Sequence, residues 1–143
     1  MTTLPASPRP DARIGSAALR PDTLAAARRR EIALLTRYAT SQDHGLLAPA
    51  RVEVSGGSSV HVDGVDGAGT LFVEAHAYDE SLDRAQSTLV VQDLFKLALV
   101  GRTHPSARTV LVLAGLPAAR SVRALVAVMP SLREIEIVVV APE

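Results

Sequence analysis

An α/β (α+β) domain on a mixed sheet is predicted by three features of the chain. Residues 51–78 contain the runs RVEV, SSVHVD and GTLFVEAHAY, each alternating apolar and polar side chains and separated by SGG and GVDGAG, the period-two signature of an antiparallel meander. Stretches free of Gly and Pro lie on either side, at 23–40 and 80–100, and read as helices. Beyond Gly101, two short apolar runs rich in β-branched residues enclose one more helical run, the pattern of buried strands joined by a crossover.

Residues 1–21 hold Pro5, Pro8, Pro10 and Pro21 and show no apolar period, so they are predicted to form a flexible arm, with 22–143 as a single domain. Asp22 is a plausible N-cap for the helix TLAAARRREIALLTRYAT. The loop SQDHGLLAPA carries the breakers Gly45 and Pro49 and leads into the meander. The second helix, ESLDRAQSTLVVQDLFKLALV, is closed by Gly101. RTVLVLAG is the next strand, LPAARSVRALVAVM a helix with Pro117 in its first turn, and EIEIVVV the last strand. The predicted order is therefore helix, three strands, helix, strand, then an additional αβ unit.

At 143 residues and 48% hydrophobic content the chain can bury one core. Fifteen Lys and Arg balance fifteen Asp and Glu, so no overall field draws in nucleic acid or an anionic membrane, and a nucleic-acid contact would need a local patch. The absence of cysteine excludes disulfides and thiolate metal sites and fits a cytoplasmic location. No apolar run approaches the roughly 20 residues of a membrane span. Two Phe, two Tyr and no Trp argue against an aromatic base-stacking platform.

Side chains two apart on a strand share a sheet face. Val52, Val54, Val60, Val62, Val73, Ala75 and Ala77 are predicted to form one apolar face, leaving Arg51, Glu53, His61, Asp63, Phe72, Glu74, His76 and Tyr78 on the other. Asp63 and Glu74 would then lie on adjacent strands with His61 and His76 nearby. Two carboxylates suit Mg²⁺ or Mn²⁺, imidazoles shift the preference toward Zn²⁺, and ordinary cross-strand pairs on a solvated face account for the same residues. On the first helix, Glu31 falls within the stripe of Leu24, Ala27, Leu35 and Tyr38 and either snorkels or faces a polar pocket. On the second, Gln92 and Lys96 are neighbours that either reach over the sheet or form a solvated edge.

The element order together with these residues resembles the PD-(D/E)xK nuclease superfamily. The resemblance implies a restriction-endonuclease-like αβββαβ core over about Asp22 to Ala114. It further implies that HVDGVDGAGTLFVEAHA is the metal-binding hairpin, with Asp63 or Asp66 as the first acid and Glu74 as the second. Glu31 falls where some members carry a further acid, and Gln92 resembles a helix glutamine of several subfamilies. The motif lysine is replaced by His76, an imidazole that can work as a base near neutral pH; Lys96 could instead supply the ammonium from the second helix. The turn pattern of VSGG, VDG and VEA is also similar to that of small actinobacterial proteins of unassigned function.

Two functions follow as expectations. The favoured one is a non-catalytic or degenerate nuclease-fold module for binding or assembly. The alternative is a divalent-metal-dependent nuclease acting on DNA or RNA, with Asp63, Glu74 and the Ala75 carbonyl as metal ligands, His76 or Lys96 near the attacking water, and Glu31 as a further acid of the site. A nucleotide-binding loop of the GxxxxGK[ST] type is absent. Val90, Val91, Leu94, Phe95, Leu97, Ala98 and Leu99 cover much of the second helix, more than one sheet face needs, so a homodimer is expected.

Overall fold

The computed structural model describes residues 21–141, so nearly all of the arm expected at 1–21 lies outside the described residues. The elements follow the expected order: α1 (Pro21–Ser41), β1 (Ala48–Glu53), β2 (Ser59–Val65), β3 (Leu71–His76), α2 (Arg84–Thr103), β4 (Arg108–Leu113), α3 (Leu116–Ala127) and β5 (Glu136–Val139). By compactness the chain divides between Arg30 and Glu31. The first ten residues of α1 belong to the first unit, where Leu24 is exposed, and every core and site residue named below belongs to the second.

Local chemistry sets the element ends. Asp43 adopts the left-handed conformation (φ 56°) just past α1, where Asp is one of the few tolerated residues without a glycine's freedom. Asp83 opens α2 through a capping box, its side chain accepting from the Gln86 amide while the Gln86 side chain accepts from the Asp83 amide. Pro117 occupies the first turn of α3, where its missing N–H costs nothing.

The five strands are ordered β1-β2-β3-β4-β5. β1, β2 and β3 pair antiparallel, whereas β3–β4 and β4–β5 are parallel, which makes the sheet mixed. Right-handed crossovers that step in one direction along a sheet leave their helices on the same face. Accordingly α2 and α3 share one apolar cluster with Phe72, Leu111 and Leu113, and Leu34, Leu35, Tyr38 and Ala39 of α1 form a second cluster with Val73, Ala75, Val110 and Val112.

This arrangement corrects the single apolar face expected of the meander. Val52, Val54 and Val62 join the α2 layer, while Val73 and Ala75 join the α1 layer. The cause is a bulge: Ala48 pairs with Val65 and Ala50 with Val62, so β2 uses one more residue than β1 across the same span. The extra residue lies within Asp63–Gly64 and reverses the alternation. β3 is a central strand buried along its whole length, with helices over both of its faces.

Candidate functional site

The site begins on β3. Phe72, Glu74 and His76 alternate with Leu71, Val73 and Ala75 and face the α2 layer. Phe72 fills the core there, but Glu74 is 1% exposed and His76 7%, and such groups persist in an interior only when partnered.

Part of the partnering comes from the bulge. Regular β2–β3 pairing is confined to Gly64–Val73 and Val65–Phe72. Immediately beyond it, side chains take over the strand hydrogen bonds: the Asp63 amide donates to Glu74 Oε2 (3.2 Å), and the Ala75 amide donates to Asp63 Oδ2 (3.1 Å). The two carboxyl groups are thus interlocked across neighbouring strands.

The remainder comes from α2. Residues 93 and 96 lie one helical turn apart on the side that covers β3. Lys96 Nζ lies 3.3 Å from Glu74 Oε2 and 3.3 Å from Asp93 Oδ1. The other oxygen of Asp93, Oδ2, lies 2.7 Å from His76 Nε2. The His76 ring stacks on Tyr78 with centroids 5.1 Å apart and planes 21° from parallel. Its Nδ1 is buried without a hydrogen-bond partner.

The electrostatics follow from burial and crowding. Burial, reinforced by the charges of Asp63 and Asp93, pushes the Glu74 carboxyl up to about 9, with Lys96 pulling the other way. Asp93 also feels burial raising it, but hydrogen bonding and charge from His76, together with Lys96, hold it below the ordinary aspartate value. Burial lowers the Lys96 ammonium, and Glu74 and Asp93 more than compensate, leaving it raised. Lys96 thus contacts one carboxyl that its surroundings push up, Glu74, and one that they hold low, Asp93. Tyr78 is raised by burial and then by Glu31, Asp83 and Asp93, which marks the surroundings as acidic.

Asp63, Glu74, His76 and Lys96 are therefore brought together, and Glu31 is near enough for its charge to act on Tyr78 beside them. Asp66 is not part of the group: it accepts from the Thr70 amide (2.7 Å), the Thr70 hydroxyl and the Leu71 amide (3.0 Å), and so builds the β2–β3 turn. Gln92 is exposed, and His61 stands opposite Arg51 on the outer hairpin, exposed as well. Sequence reasoning missed Asp93. Two signals pointed to it: Lys96 is the chain's single lysine, among fourteen arginines, and an acid three residues before it on a helix faces the same way.

Comparison of the chain with protein-family models, with curated proteins and with solved structures finds no match. Among the described residues no helix is long and apolar enough to cross a membrane.

Proposed function

We propose that this chain carries a PD-(D/E)xK-like phosphodiester-hydrolysing centre whose ammonium comes from α2 instead of β3. The observation that carries the reading is the contact of Lys96 Nζ with Glu74 Oε2, on a strand pair where Asp63 already interlocks with Glu74. It answers the replacement of the motif lysine by His76.

The donor set fits one kind of metal. Among the described residues no three His, Asp or Glu side chains are gathered into a ready metal cage, which disfavours Zn²⁺. Asp63, together with Glu74 once a cation displaces the proton that burial and the neighbouring acids favour on it, would supply hard carboxylate oxygens of the kind that suit Mg²⁺ or Mn²⁺. Such an ion, when bound, supplies Lewis-acid neutralisation of phosphate charge. Lys96, held by Asp93, would place a fixed positive charge against the oxygen on which negative charge develops. The substrate class is DNA or RNA, met through a local surface since the net charge is zero.

One observation favours the second reading, a degenerate binding or assembly module. Glu74 is sealed from solvent, and both carboxyl groups already accept from strand amides, as in a polar core that only locks α2 to the sheet. On either reading a homodimer through α2 is supported by Leu89, Phe95 and Leu99, which remain exposed on it. The lack of cysteine supports a cytoplasmic location.

A screen over single-stranded, duplex and branched DNA and RNA with Mg²⁺ or Mn²⁺ separates the readings. Cleavage lost in both Asp63→Ala and Glu74→Ala supports the hydrolytic centre. Inactivity of the wild type across all substrates supports the module.

A further inference from the structure

We infer that Asp93 is the positioning residue of this centre: it fixes the His76 ring with Nδ1 bare as a hydrogen-bond acceptor, and it holds Lys96 on Glu74. The role of that acceptor, orienting the attacking water or hydroxyl, rests on the phosphodiesterase reading; the positioning itself does not.

An ionised carboxylate has acceptors only, so the hydrogen in the 2.7 Å contact between Asp93 Oδ2 and His76 Nε2 belongs to the ring. In the neutral imidazole this leaves the lone pair on Nδ1. Tyr78, stacked on the ring, restrains its plane, and the Nε2 contact with Asp93 sets which edge faces α2. Nδ1 is therefore an acceptor held unsatisfied on a side chain that is 7% exposed. Folding does not normally leave such an atom unpaired, and those that persist call for an explanation such as a catalytic role or a bound donor. The chemistry it can take is an O–H or N–H donor, and water or a hydroxyl is the donor a hydrolytic centre must orient.

Asp93 does more than hold the ring. With Oδ2 on His76 and Oδ1 on Lys96, one carboxylate ties the strand-borne imidazole and the helix-borne ammonium into a fixed relation. The two contacts use different oxygens of one carboxylate, so Asp93→Ala removes both at once, whereas the amide of Asp93→Asn, with one acceptor and one donor, can keep only one of them.

The test reads the ring directly. The full chain, with its four histidines labelled with ¹⁵N, is measured by long-range proton–nitrogen correlation across a pH series, so that the tautomer of the neutral ring is read directly. His76→Asn identifies the His76 signal. Wild-type His76, in its neutral form, should show the Nε2–H tautomer with Nδ1 unprotonated; Asp93→Ala should change that pattern, and Lys96→Met should keep it. The single lysine gives one side-chain ammonium signal, which should shift in Asp93→Asn and return toward wild type in Asp93→Glu. A neutral wild-type ring protonated on Nδ1, or the same pattern in Asp93→Ala as in the wild type, overturns the inference. If Asp93→Ala fails to fold, the wild-type ring decides alone. Where cleavage is found, Asp93→Asn should lower kcat about 10- to 100-fold with KM little changed, the usual scale for a group acting through its neighbours. An unchanged kcat overturns the inference. A wild type that cleaves nothing while its ring still follows Asp93 supports the positioning and removes only the phosphodiesterase reading.

Discussion

At the scale of single residues, Lys96 separates a charged cluster from a costly one. It is the cation that touches both Glu74 and Asp93, and removing it leaves these groups facing each other in a poorly solvated site. Lys96→Met, which keeps most of the apolar stem, should lower unfolding stability by about 1–3 kcal/mol in urea denaturation, well above the cost of an ordinary surface charge change. Asp66 offers a contrast, since its work is in the turn. Burial raises its carboxyl, but the Thr70 hydroxyl, the Thr70 amide and the Leu71 amide outweigh that and hold it below the usual value. A depressed acid stabilises the fold above its unfolded pKa, and that contribution is lost as pH falls through the folded value. Losing these hydrogen bonds in Asp66→Ala should cost about 1–2 kcal/mol at neutral pH, with the gap to wild type closing below about pH 4 as the wild-type Asp66 carboxyl takes up its proton. Its effect on any cleavage should be small; a loss comparable to that of Asp63→Ala would place Asp66 in the site after all.

At the scale of elements, two glycines show where helices and strands approach too closely for a side chain. A Cβ on Gly115 would come within 2.4 Å of the Asp79 carbonyl oxygen and 2.7 Å of its Cα, so the backbone entering α3 would have to move. A Cβ on Gly64 would meet the Leu35 methyls at 2.9 and 3.0 Å, ends of a side chain that can yield, and the less yielding Leu47 Cβ at 3.1 Å. Gly115→Ala is thus expected to cost about 3 kcal/mol and Gly64→Ala about 1–2 kcal/mol, measured by thermal or urea unfolding; the reverse order would contradict the packing described. These elements were legible in the sequence to a large extent, because period-two runs, breaker-free helical stretches and Pro117 are local signals. Which way the valines face was not. Alternation reports the face of each strand separately, and the bulge within Asp63–Gly64 shifts β2 by one residue relative to β1, a long-range event with no local mark beyond a glycine. The same shift explains why Asp63 engages β3 through its side chain where a carbonyl would otherwise pair. Lys96 was half legible and Asp93 was missed: the spacing of Lys96 from Gln92 was plain, but the rotation of α2 on the sheet is set by Val90, Leu94, Leu97 and Val100, and these turn Gln92 outward and Asp93 inward.

At the scale of the whole molecule, the outer side of α2 keeps Phe95 48% exposed and Leu89 49% exposed, away from the buried cluster. If that surface joins two copies, sedimentation of the wild type at micromolar concentration should report a dimer and Phe95→Asp a monomer of unchanged melting temperature; a monomeric wild type would remove the dimer. The central claim is that Lys96 completes a hydrolytic centre built on Asp63 and Glu74. Its most direct test is the single-turnover cleavage rate on the best substrate of the nucleic-acid screen with Mn²⁺, comparing wild type with Lys96→Met after confirming equal folding. The account expects the wild type to cleave and Lys96→Met to fall by about 10²- to 10³-fold, the scale of losing one fixed charge at a developing oxyanion. Cleavage by Lys96→Met at the wild-type rate, or a wild type that cleaves none of the substrates, would contradict it.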